Sequence, residues 1–129
     1  MNLRSQNLEK HLWNDRVLLI ITSSLENSGF EKQMVELNSN LKALEERKLV
    51  VYQITPQAYR TIIPEKSEWS NNLKLSKRFS SSEHSFKIVL IGLDGGVKLE
   101  QNTFLSTKKL FNKIDAMPMR RSKIKNKQP

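Results

Sequence analysis

Four hydroxyl residues stand between an apolar run and a helical pattern in "TSSLENSG": Thr22, Ser23, Ser24 and Ser28. Hydroxyls and free amides at a helix start can hold an anion or a small ligand, so these four are candidate ligand-binding residues; equally, they serve as loop and cap residues. A second candidate, "GLDGG", has the glycine content of a phosphate loop. It lacks the Gly-x-x-x-x-Gly-Lys-Ser/Thr spacing and sits between two strand patterns, so Asp94 and Gly95 read as the tight turn of a hairpin, both with positive φ. His11 and His84 are lone histidines in separate regions, and no metal site is expected. Asp94 alone cannot supply the six or more oxygens of a calcium site.

The third stretch is "IDAMPMRR" near the C-terminus. Asp115 would face the negative end of a helix dipole, a cost of about 0.3 to 1 kcal/mol unless it is paired. Arg120 and Arg121 can fold back onto it, so the motif reads as a helix stop at Pro118 with an ionic clamp. An exposed clamp of that kind is worth no more than about 1 kcal/mol. Met119, Arg120 and Arg121 are also the candidate partner-binding residues.

The 129 residues contain no cysteine, which removes thiol nucleophiles, dithiol redox chemistry and Cys-ligated zinc together. No Gly-x-Ser-x-Gly elbow supports hydrolase chemistry, and no cofactor is expected. The net charge is +9, and Arg120, Arg121, Lys123, Lys125 and Lys127 supply five of those charges without an opposing acid. The expected organisation is one domain over 1–119 and a basic, disordered tail over 120–129. Such a tail gives weak, low-salt contact with nucleic acid. The first sixteen residues hold no apolar leader and the longest apolar run, "VLLII", is too short for a membrane span. The expectation is a cytoplasmic protein.

The elements that must position these residues follow from hydropathy. Val17–Ile21 is a continuous apolar run, and Leu49–Ile54 and Phe86–Gly92 are runs of the same kind, as in strands covered on both faces. Phe30, Met34, Leu37, Leu41 and Leu44 form one stripe, predicting a single helix of about eighteen residues. Ser28 and Glu31 have the spacing of a capping box at its start. Val97 and Leu99 alternate with Lys98 and Glu100 as an edge strand paired through the Asp-Gly turn. Ser106 caps a last helix with Leu110, Phe111, Ile114 and Met117 on one side. Residues 1–13 are expected to form a short leading helix that seats Trp13, and residues 71–79 a second short helix in an otherwise weak 55–85 segment. The order is (α)βαβ(α)ββα: an α/β protein with a mixed four-stranded sheet and helices on both faces, the minimal thioredoxin-like plan.

"WNDRVLLI", "FKIVLIGLDGGVKL" and "LFNKIDAMPMRR" together resemble the P-DUDES family, a domain of unknown function. It occurs in short bacterial proteins and in vertebrate secreted proteins such as those with sushi repeats. The resemblance covers roughly Trp13 to Arg121 and implies a thioredoxin-like fold, with no established activity. Relatives often carry Gly-Lys-Asp-Gly where this chain has Gly92-Leu93-Asp94-Gly95, so no role for that lysine is carried over. In thioredoxin-like proteins the chemistry sits between the first strand and its helix, here the hydroxyl-rich loop. The favoured function is a binding module without thiol redox activity, acting on an unknown protein partner. The alternatives are a small enzyme with a non-thiol site at the first helix N-terminus and a weak nucleic-acid binder through the tail.

Overall fold

The computed structural model describes residues 10–23, 28–70 and 86–117. Arg16–Thr22 is β1, Leu49–Ile54 β2, Tyr59–Ile63 β3, Phe86–Ile91 β4 and Val97–Gln101 β5. They form one sheet in the order β3-β2-β1-β4-β5, with β1 and β2 parallel and the other pairs antiparallel. Central β1 is buried along its whole length, as its unbroken apolar run requires.

The helices are α1 (Ser28–Asn38), α2 (Leu41–Glu46) and α3 (Thr107–Asp115). Leu37, Leu44, Leu110 and Ile114 from all three pack with Leu18, Ile20, Val51, Ile88 and Leu90 on one sheet face. Val17, Leu19, Ile21, Tyr52, Ile54, Tyr59, Val89 and Ile91 fill the other face. Alternation along each strand divides them.

Three expectations need correction. The single long helix is two helices, broken where Asn40 Nδ2 donates to the Glu36 carbonyl at 2.9 Å while the Asn40 amide turns to the Leu37 carbonyl at 3.0 Å. The Asn40 side chain thus takes the carbonyl that its own amide would use to continue the helix. The stripe restarts out of register and leaves Leu41 48% exposed. The sheet has five strands rather than four, since Tyr59–Ile63 pairs with β2 after a turn in which Thr55 Oγ1 accepts from the amides of Gln57 and Ala58. Ser28 is the first residue of α1 itself, not the residue before it, so the helix starts no later than the predicted cap. The proposed helix over 71–79 and the stop at Pro118 lie outside the described residues.

At α3, Ser106 accepts from the Lys109 amide at 3.1 Å, as predicted for a cap. Leu105 and Leu110, on either side of that cap, are both fully buried, the spacing of a hydrophobic staple. No described helix is long and apolar enough to cross a membrane.

Candidate functional site

Val17 is paired with Ile91, so the chain entering β1 and the chain leaving β4 lie side by side at one end of the sheet. The last turn of α3 ends there too. Between them is a cleft of about 420 Å³ lined by Trp13, Arg16, Gly92, Leu93, Asp94, Lys98, Lys113, Ala116 and Met117. Segments far apart in sequence thus form one concave surface.

Trp13 defines one wall. Its amide donates to the Leu93 carbonyl at 2.7 Å, and its φ is 65°, in the left-handed region that bulky residues avoid. That backbone costs about 1 to 3 kcal/mol and is held by surrounding bonds. Trp13 is 58% exposed rather than seated as expected, and residues 1–9 of the expected leading helix lie outside the described residues. A strained backbone that presents a large aromatic ring to a cleft is more in keeping with recognition than with packing.

The opposite wall is built by the turn from Gly92 to Gly96. The Gly95 amide donates to the Gly92 carbonyl at 3.0 Å, and Gly92 in turn donates to Gly96 at 2.9 Å. Gly95 has φ 82°, while Asp94 does not share the positive φ expected for a two-residue turn. The loop is one residue longer, and the register shift between Leu90 and Ile91 absorbs the difference. Asp94 Oδ1 accepts from the Gly96 amide at 2.9 Å, and Oδ2 pairs with Lys98 at 3.1 Å. The amide first and the lysine second hold its carboxyl below the usual range, so it stays ionised and is no proton donor near neutrality. A Cβ at Gly92 would lie 2.6 Å from Lys98 Cε, so glycine there lets the lysine stem lie across the turn. The turn therefore aims a cation at the cleft.

Arg16, 4% exposed, is also in the lining and donates through Nη1 to the Arg47 carbonyl at 3.0 Å. Arg47 sits just after α2 and holds Asp115 through two bonds, Nε at 3.1 Å and Nη2 at 2.9 Å. Its guanidinium also lies 4.1 Å from the centroid of Phe111. The Asp115 clamp is therefore made by Arg47; Arg120 and Arg121, the partners expected from the sequence, lie outside the described residues with Met119 and Pro118.

The hydroxyl loop lies at the other end of β1. Thr22 is six residues from Arg16, about 20 Å at 3.3 Å per residue. Thr22 is 1% exposed and its Oγ1 has no hydrogen-bond partner among the described residues. Ser23 and Ser28 are exposed, and Ser24 is outside the described residues. Thr22, Ser23 and Ser28 and the cleft are thus separate places.

His11 is not the isolated residue its sequence position suggested. Its Nδ1 is 2.7 Å from Asp15 Oδ2 and its Nε2 is 2.7 Å from the Tyr52 hydroxyl. With Nδ1–H directed to the carboxylate, Nε2 accepts from the tyrosine. Burial pushes the Tyr52 hydroxyl up to about 12, with smaller contributions from Tyr59 and Asp15. This chain of bonds ties the turn before Trp13 to β2. Among the described residues no group of His, Asp and Glu could hold a metal ion. Trp13, Arg16, Lys98, Lys113 and Arg47 were missed as a set because their meeting depends on four distant segments. The available signal was that the first four fall in or beside the motifs "WNDR", "GLDGGVKL" and "FNKIDAM".

A model of the family described as "Domain of unknown function (DUF4174)" matches residues 7–123, and the chain belongs to that family. No curated protein matches. Among solved structures, the reduced 2-Cys peroxiredoxin of Plasmodium vivax is similar with a TM-score of 0.60 and 14% identity, over 89% of this chain and 84% of that one. The mitochondrial 2-Cys peroxiredoxin of Plasmodium falciparum is similar with a TM-score of 0.56 and 12% identity, over 84% and 79%. The fold is thioredoxin-like.

Proposed function

We propose that the protein is a binding module that performs no thiol chemistry and seats its ligand in the cleft between Trp13 and Met117. The observation that carries this reading is the convergence, on one concave surface, of the three segments that distinguish the sequence: the Trp13 turn, the Gly92–Lys98 hairpin and the end of α3. The lining favours binding over catalysis. Among the described residues it contains no hydroxyl, imidazole or thiol, and its one carboxylate is committed to Gly96 and Lys98. Met119, Arg120 and Arg121 follow closely on Met117 in sequence, and as partner-binding residues they belong to the same proposal.

Ala116 is exposed at the end of α3, so Ala116→Phe fills the cleft without disturbing the core. Extract from the native host is passed over immobilised wild type and over this variant. A ligand retained by the wild type and lost with Ala116→Phe, at unchanged melting temperature, supports the proposal; equal retention by both defeats it.

A second reading keeps a small enzymatic site at the junction of β1 and α1. The Thr22 Oγ1, buried and without a hydrogen-bond partner among the described residues, is the observation in its favour, because an unsatisfied buried hydroxyl costs about 1 to 3 kcal/mol. Thr22→Val removes that cost and stabilises the fold if the site is only structural.

A further inference from the structure

We propose that the cleft takes a small organic anion, a carboxylate or phosphate carried on a flat apolar body. This rests on the reading of the cleft as a binding site and names what it binds.

The charge of the lining sets the sign of the ligand. Among the described lining residues Lys98 and Lys113 stand with a single carboxylate, Asp94, and that acid serves to hold Lys98 and the turn. Asp115, the next acid along α3, is engaged by Arg47 and is not part of the lining. Lys113 has no ion-pair partner among the described residues, although it stands one turn from the end of α3. An anion entering between Lys98 and Lys113 supplies the charge the cleft lacks, and such charge-assisted bonds are the stronger kind. Trp13, Leu93, Ala116 and Met117 supply the rest of the lining, which is apolar. An indole beside cations recognises a planar group carrying negative charge.

The size argues for a small molecule. A volume of about 420 Å³ lies within the range of roughly 300 to 1,000 Å³ common for ligand pockets, and is too small for a duplex or a folded partner to enter.

Three matched probes test this: 2-naphthoate, 2-naphthyl phosphate and the neutral 2-naphthamide. Binding is read from the indole N–H signals in nitrogen-15 spectra, where Trp13→Phe identifies the Trp13 signal against that of Trp69. Both anions shift the Trp13 signal, with fragment-like dissociation constants of about 0.1 to 1 mM. The amide binds at least about tenfold more weakly, the equivalent of one charge-assisted bond. Lys113→Gln, a substitution at an exposed position that the fold tolerates, weakens both anions about fivefold and leaves the amide unchanged. The relative affinity of the two anions decides between carboxylate and phosphate. If the amide binds as tightly as the anions and Ala116→Phe excludes all three, the anion assignment is overturned while the cleft remains a binding site. If no probe moves the Trp13 signal at millimolar concentration, the inference is overturned, and the cleft reading is then decided by the Ala116→Phe retention experiment.

Discussion

Asp115 stands in the last turn of α3, where its charge opposes the helix dipole, and the two bonds from Arg47 offset that penalty. Arg47 has only 13% of its side chain exposed, so removing its partner leaves a largely desolvated cation. Asp115→Ala is expected to cost about 2 kcal/mol in urea denaturation, more than the roughly 1 kcal/mol of an exposed clamp. A loss below about 0.5 kcal/mol would mean that the pair is no more than a surface contact. Tyr52 gives a second test at this scale, through its raised folded-state pKa. A phenol with an ordinary value of 10.0 and a folded value of about 12 contributes stability that is fully present below pH 10 and lost as pH rises towards 12. At about 1.4 kcal/mol per unit, roughly 2 to 3 kcal/mol disappears over that interval. Absorbance titration of phenolate should show one tyrosine ionising near 12, and His11→Ala should lower that midpoint by opening the site to water.

Between elements, polar bonds fix α1 against α3. Gln33 is fully buried, donating through Nε2 to the Leu105 carbonyl and accepting through Oε1 from the Leu105 amide, both at 2.8 Å. Glu36, one turn further along α1, accepts from the amide and hydroxyl of Thr107 at 2.8 and 2.9 Å, and those bonds lower its pKa. Gln33→Leu conserves volume but strands two buried backbone groups, so a loss of about 3 kcal/mol in thermal or urea unfolding is expected; a neutral outcome would show that the loop before α3 repacks. These bonds also mark the boundary of what the sequence discloses. Apolar runs disclosed β1, β2 and β4, because a strand covered on both faces has no other composition available. The Ser106 cap and the Leu110–Ile114 face were equally legible, being local. Gln33 was hidden, since a glutamine beside an apolar stripe looks like surface until its partner, 72 residues away, is known. The break at Ser39 and Asn40 was passed over because the stripe was counted through it. The strand Tyr59–Ile63 was missed although its β-branched residues follow a Thr-Pro turn, since no apolar run announced it.

For the whole molecule, the charge distribution separates the proposed cleft from the tail. The five cations from Arg120 to Lys127 would give a slope of log K against log salt of roughly −4.5 on duplex DNA, at about −0.9 per phosphate. Raising salt from about 50 to 200 mM then weakens binding by nearly three orders of magnitude. Fluorescence anisotropy should therefore show duplex retention only at low ionic strength, with most of it removed by deleting residues 120–129. Salt-resistant binding that survives the deletion would place a nucleic-acid surface on the remaining chain. The claim that the cleft is where this protein meets its ligand is tested most directly by mapping a fragment mixture of aryl carboxylates, neutral aromatics and nucleotides onto its assigned amide spectrum. The cleft account predicts shifts concentrated on Leu93, Lys98, Met117 and the Trp13 indole, with Thr22, Ser23 and Ser28 unmoved. Shifts concentrated on Thr22, Ser23 and Ser28 with the cleft signals unmoved would contradict it.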